Sequence, residues 1–228
     1  LYIENASMGY VPAIEKLIGL VPTTTQQIWS LYDALIDLAE TGDESAIVAM
    51  NKLEMNYVDL ILREPAKGQK VVENKFFRLC VPKECNSVIK MADSVVEFAV
   101  AEMPVNATAE QDYLKIYKLI VSEYLPDENA DVIIANSRMI GSAIRASKDN
   151  VHTFSILLIS SKNQYIFKLS SKDRRQMMQF KDVVVAIAKS LVETGEIYKA
   201  TEEGKKNIGL AFLLKANESG FLSIGKGE

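Results

Sequence analysis

The spacing of apolar residues between Thr24 and Leu62 constrains the fold more than any other feature of the chain. Ile28, Leu31, Leu35, Leu38 and Ala39 recur at three- and four-residue intervals, which places them on one face of a helix. Thr23, Thr24 and Thr25 offer N-caps at its start. Thr41-Gly42 ends it, since glycine accepts the left-handed conformation that a C-cap requires. Asp43 then caps a second helix, where Ile47, Met50, Leu53, Tyr57, Leu60 and Ile61 keep the same spacing until Pro65 and Gly68 break it.

The same periodicity predicts three further helices. Asn86–Met103 would carry Val88, Met91, Ala92, Val95, Ala99 and Met103 on one face. Thr108 followed by Gln111 has the form of a capping box, opening a helix with Tyr113, Ile116, Tyr117, Ile120 and Tyr124 inward. Asp127–Ser147 would place Ile133, Met139, Ile140, Ala143 and Ile144 on a stripe, with Pro126 interrupting the helix before it. Gly141 is discordant there, because glycine inside a helix costs ~1 kcal/mol against alanine. Residues 1–148 are therefore expected to form an antiparallel helical array packed around Ile28, Leu35, Ile47, Met50, Val95, Ile116 and Ile120.

Gly9 and Gly42 each open a glycine, small residue, apolar residue pattern that is similar to the turns of Sel1-like and ankyrin repeats. No third copy follows near position 75, where Lys75-Phe76-Phe77 stands, and the family is not assigned.

The register changes at Asp149-Asn150. Thr153–Ile159 is rich in β-branched and aromatic residues, Ser160–Asn163 is a turn cluster, and Gln164–Leu169 alternates in polarity. Lys172–Val192 returns to helix with Met177, Phe180, Val184, Ile187 and Leu191 on its apolar face, ended by Gly195. Ile208–Leu214 and Phe221–Ile224 flank Asn217–Gly220 as a second hairpin, although residues 201–214 would also fit a helix. The expected fold class is mainly α with a smaller α+β C-terminal part. An acidic helical array over 1–148 precedes a basic hairpin–helix–hairpin module over 149–228, as two units or packed as one.

Composition narrows the classes of function. Hydrophobic residues make up 48% and charged residues 25%, enough apolar surface to offset the entropy of ordering a chain. The longest apolar runs, Val183–Ala188 and Ile156–Ile159, fall far short of the ~20 residues a spanning helix needs. Leu1–Asn5 lacks the basic start and apolar run of a secretory leader, and a chain opening on Leu1 reads as trimmed or excised. Cys80 and Cys85 are expected to be free, buried thiols. These features predict an intracellular, cytoplasmic protein with no membrane span.

The side chains that usually carry catalysis are scarce. His152 is the one histidine, so no histidine cluster for metal or acid–base work can form. Cys80 and Cys85 with one histidine lack the second ligand pair of a zinc site, while a Cys–His dyad would depend on a tertiary contact. Gly225-Lys226-Gly227 lacks the remaining residues of a phosphate-binding loop. Asp33/Asp37 and Asp127/Asp131 would sit one helical turn apart, on a solvated face. Trp29, Tyr32, Tyr113, Tyr117 and Tyr124 have the spacing of core aromatics. No cofactor and no metal are predicted.

Charge distribution is more informative. Residues 1–150 hold 14 Lys/Arg against 22 Asp/Glu, whereas residues 151–228 hold 12 against 8. The basic excess is densest from Lys162 to Lys189. Lys162, Lys168, Lys172, Arg174 and Arg175 are the candidate binding residues, for an anion or an acidic partner, on a hairpin and the first turn of the following helix. The favoured function is a non-catalytic protein-interaction module, an adaptor, regulator or scaffold, using grooves between helices and this basic surface. The alternatives are nucleic-acid binding by residues 162–189, with Tyr165 and Phe167 stacking on bases, and an enzyme whose site is not visible in sequence. A third reading has the basic residues simply pairing with the acidic half.

Overall fold

A computed structural model of the chain describes residues 12–13, 16, 25–57, 64–73, 77–83, 87–88, 96–104, 113–160, 163–193, 210–216 and 222–224. Helices α1 (Thr25–Glu40) and α2 (Glu44–Asn56) form in the two segments of helical spacing, but α2 ends with Tyr57 as its C-cap rather than running on to about Leu62, and Leu60 and Ile61 lie outside the described residues. Leu35, Ala39, Ile47, Met50 and Leu53 are fully buried. Asp43 caps α2 by accepting the Ser45 N–H at 2.9 Å. Between the helices Gly42 has φ of 99°, a conformation that side chains disfavour. Helix α3 (Tyr113–Tyr124) also forms, with Ile116, Tyr117 and Ile120 buried. The Tyr117 hydroxyl donates to the Ala39 carbonyl at 2.9 Å and so ties α3 to the end of α1. Of the expected core, Val95 lies outside the described residues, as do Thr108 and Gln111 of the capping box.

Among the described residues, the rest of the first 148 is largely strand and not a helical array, and the molecule is not mainly α. Strands β1 (Gln69–Glu73) and β2 (Phe77–Pro82) pair as an antiparallel hairpin where no element was expected. The expected helix over Asn86–Met103 is replaced by β3 (Ser87–Val88) and β4 (Val96–Pro104). The one expected over Asp127–Ser147 is a second hairpin, β5 (Ala130–Asn136) and β6 (Met139–Lys148).

The physical reason is plain in β5. Ile133 and Ala135 enter one core while Val132 and Ile134 enter another. A strand buried on both faces loses its polar alternation, and its apolar residues then mimic any period. Pro126 follows the end of α3 at Tyr124, as expected, but leads through a turn into β5 rather than into a further helix.

The second half follows the sequence more closely. Strand β7 (Val151–Ile159) pairs with β8 (Asn163–Ser171), helix α4 covers Arg174–Lys189, and β9 (Val192–Glu193) follows. Strand β10 (Leu210–Ala216) pairs with β11 (Leu222–Ile224), so residues 210–214 are strand, and 201–209 lie outside the described residues. Gly195 lies outside the described residues. The boundary expected at 148/149 falls on the β6–β7 turn, where Asp149 and Asn150 take φ of 51° and 61°. Two consecutive left-handed residues make the tight turn whose twist matches flanking strands.

Among the described residues the strands form two antiparallel sheets. The larger has eight strands in the order β11-β10-β4-β8-β7-β6-β5, with β3 also on β10; the smaller has the order β1-β2-β9. One face of the large sheet is covered by α4 and the small sheet, through Phe154, Phe167, Phe180, Val184 and Leu79. The opposite face, at the β5–β6 side, is covered by α1, α2 and α3, through Tyr32, Leu35, Met50, Tyr117 and Ile140. The helices thus spend their apolar faces on a sheet as well as on each other.

Candidate functional site

The link from β8 into α4 concentrates the candidate residues. Asp173 is the N-cap: its Oδ1 accepts the Arg175 N–H at 2.8 Å, and its own N–H donates to Ser171 Oγ at 3.0 Å. Lys172, Arg174 and Arg175 are exposed around this cap. A shallow open depression is lined by Asp173, Arg174, Arg175, Met178 and Gln179. Met178 is 42% exposed there, an unusual position for a large apolar side chain beside two arginines.

Not all the candidates gather at this point. Lys168 is exposed on β8 between Phe167 and Leu169, which face α4, so pleating turns it to the opposite side of the sheet. Lys162 lies outside the described residues. Strand register brings in two residues that sequence did not join to the group. Ser147 of β6 pairs with His152 of β7, and His152 pairs with Ser171 of β8, so the β6–β7 turn stands next to the start of α4. Lys148 ends β6 on the face shared with Lys168, away from α4. Met178, one helical turn beyond Arg174 on α4, is placed by local helix spacing, whereas the position of Lys148 is set by strand register.

Ion pairing divides the basic residues into two groups. Lys181 reaches Asp131 at 3.2 Å and lies 5.5 Å from the centre of the Phe154 ring; Arg145 shares Asp131 at 3.6 Å. Lys189 pairs with Glu40 at 2.8 Å, joining the end of α4 to the end of α1. These two lysines do pair with the acidic half. Among the described residues, Lys148, Lys168, Lys172, Arg174 and Arg175 take part in no ion pair within 4.0 Å.

Glu40 also closes the outer edge of the large sheet. Its Oε1 accepts the Ile134 N–H of edge strand β5 at 2.9 Å, occupying a donor that would otherwise invite a further strand. Burial pushes the Glu40 carboxyl above the usual range; Lys189 and Ile134 pull it down less, and the Asp37 charge adds to the rise. A carboxyl whose pKa is raised by folding binds its proton more tightly when folded. Its contribution to stability therefore grows as pH falls through that pKa and is smallest at neutrality. Glu40→Gln keeps an acceptor for Ile134 and cannot titrate. Urea unfolding from about pH 7 to about pH 4 should show wild-type stability improving relative to the variant. A constant difference would refute this account of Glu40.

The other sequence candidates are placed elsewhere. Tyr165 and Phe167 are fully buried beneath α4 and cannot stack on bases. Tyr32 and Tyr117 are core residues, and Trp29 meets Tyr32 edge-to-face with ring centres 6.3 Å apart. Burial, with the charges of Asp43 and Glu44, raises the Tyr117 hydroxyl far above its ordinary pKa. Asp127 and Asp131 do not share a helical turn: Asp127 accepts the Asn129 N–H at 2.8 Å, while Asp131 holds the cations on β5. Cys80 is buried in β2 and His152 stands in β7 of the other sheet, with Nδ1 2.7 Å from Ser147 Oγ. Cys85 lies outside the described residues. Among the described residues, no group of three or more His, Cys, Asp and Glu is placed to hold a metal, and no helix is long and apolar enough to cross a membrane. No protein-family model and no curated protein matches this chain.

Proposed function

We propose that the chain is a non-catalytic interaction module, acting inside the cell, that docks an acidic segment of a protein partner on the rim formed by Lys172, Arg174, Arg175 and Met178. The observation that carries this reading is that these cations stand without acidic partners beside an exposed methionine, while Lys181 and Lys189 of the same helix are ion-paired. Arginine forks suit carboxylates, and an apolar side chain at their centre is a common anchor in interfaces. Placing two arginines at a helix start costs ~0.3–1 kcal/mol each against the helix dipole, which folding alone gives no reason to accept. Grooves between helices are not part of the proposal, because α1, α2 and α3 bury their facing surfaces against one another and the sheet. The burial of Tyr165 and Phe167 counts against nucleic acid.

The test is a charge reversal, Arg174→Glu with Arg175→Glu. The probe is a short labelled oligo-aspartate peptide with one central leucine, followed by fluorescence anisotropy at low salt. Binding should weaken by about 10- to 100-fold, the loss of one or two charge-assisted contacts. Thermal stability should hold or rise slightly, since glutamate suits a helix start. No binding of the peptide, or equal binding by the variant, overturns the proposal. Tighter binding of single-stranded RNA than of the peptide, lost in the same variant, overturns it in favour of nucleic acid.

A further inference from the structure

The small sheet ends on β1, which among the described residues pairs with β2 alone. One contact fixes which backbone groups of β1 face outward: the Lys83 N–H donates to the Gly68 carbonyl at 2.9 Å. Bonded and non-bonded pairs alternate along an antiparallel ladder, so Lys70 with Val81, and Val72 with Leu79, exchange the next bonds. Gln69, Val71 and Glu73 therefore turn their N–H and carbonyl groups away from β2. Their opposite numbers agree with this assignment. Pro82, across from Gln69, has no N–H to give, and Cys80, across from Val71, sends its N–H the other way, to Ser190 Oγ at 2.8 Å. The Gln69 N–H is spent on the Ala66 carbonyl at 2.9 Å. The Val71 and Glu73 N–H groups and the Gln69 and Val71 carbonyls remain along the edge without a partner among the described residues. At the edge of the large sheet, by contrast, Glu40 occupies the Ile134 N–H. Strand β1 has no such plug, no proline and no register shift over its 5 residues, and Ala66, Lys67 and Gly68 leading into it are exposed.

We infer that β1 pairs antiparallel with β1 of a second copy of this chain, about a two-fold axis at Val71, so that the two small sheets continue as one. That symmetry sets Val71 on Val71, Lys70 on Val72 and Gln69 on Glu73. The two Val71 residues exchange a pair of backbone bonds, and each Glu73 N–H meets a Gln69 carbonyl. Charged side chains commonly guard an edge strand, but in this register like charge never faces like. A β-branched pair stands at the centre, and the Gln69 amide is free to donate to the Glu73 carboxylate. Moving the axis to Lys70 would set lysine on lysine, so the side chains select the register as well as permit it. An unrelated extended peptide would be offered the backbone bonds alone; a second copy also matches these side chains. The surface shares no residue with the rim at the start of α4, and its test is independent of the acidic-partner reading.

The experiment is sedimentation equilibrium of the intact chain from about 5 μM to about 1 mM, because an interface built on one strand pair is small and its affinity modest. Wild type should pass from the mass of one chain to that of two. Val71→Pro removes an outward N–H without touching a bond to β2, a position where an edge strand accepts proline. Val71→Lys keeps that N–H and sets two lysines face to face across the axis. Both variants should keep the circular dichroism of wild type and stay at the mass of one chain up to at least about tenfold above the wild-type midpoint. If proline disturbs the fold, the lysine variant decides. A wild-type chain that stays single throughout, assemblies larger than two, or dimers that persist in either folded variant overturn the inference.

Discussion

Replacing Gly141 with alanine is expected to destabilise the protein by about 3–5 kcal/mol, the upper range for overpacking against backbone. Gly141 pairs with Leu158 across β6 and β7. A Cβ built on it would overlap the carbonyl oxygen of Leu157 and approach its carbonyl carbon to 2.6 Å and Leu158 Cα to 2.8 Å. No side-chain rotation relieves a clash with backbone, so the two strands would have to separate, and β7 is held on its other side by β8. The sign of the effect is as informative as its size. Were residues 127–147 a helix, the same substitution would stabilise the chain by ~1 kcal/mol. Chemical denaturation decides the matter, and a neutral or stabilising result would be incompatible with this strand pairing.

A loss of similar size, about 3–5 kcal/mol, is expected for Glu54→Leu, because it orphans buried donors. Glu54 is 4% exposed in α2. Its Oε1 accepts the Tyr32 hydroxyl at 2.6 Å and the Ser137 N–H at 2.8 Å, while Oε2 accepts the Ser137 hydroxyl at 2.6 Å. One carboxylate thereby links α1, α2 and the β5–β6 turn. Leucine fills similar space and accepts nothing, so the Tyr32 hydroxyl and the Ser137 N–H lose this acceptor and the Ser137 hydroxyl keeps only its longer contact to Asn51 Oδ1 at 3.3 Å. Glu54→Gln is the informative control: one oxygen still accepts, and the Ser137 hydroxyl can turn to accept from the new amide. It should cost less than half as much. Equal losses for the two variants would show that charge rather than donor satisfaction holds this junction.

The candidate surface was partly legible before folding was considered. Lys172, Arg174 and Arg175 are consecutive or nearly so, and Asp173 marks the helix start they surround, so their proximity is a local property. The same is true of α1, α2, α3, α4 and the β7–β8 hairpin, each of which carries its own period, cap or turn residues. Lys168 belonged to the same run of basic residues, yet the pleat sends it to the other face. His152 comes next to the start of α4 only through strand register, which no local pattern encodes, and Lys148 shares the other face with Lys168. Lys181 and Lys189 looked like members of a basic surface until Asp131 and Glu40, distant in sequence, came to meet them.

The strands that escaped detection share one cause. Strand β4 is held between β8 and β10, whose residues lie far along the chain, and its pairing with β8 runs from Glu97 opposite Ser170 to Pro104 opposite Asn163. Strand identity there depends on partners rather than on intrinsic preference. Strand β5 has helices over one face and α4 over the other, so burial removed the alternation that would have announced it. By itself, then, the sequence marked the segments of four helices with one apolar face, the Gly42 and Asp149-Asn150 turns, and the stretch that carries excess positive charge, because these depend on neighbours within a few residues. Which apolar segments became strands, which face of the sheet each charge occupies, and which described cations were left without acids were decided only by tertiary structure, because register and burial are set by residues distant in the sequence.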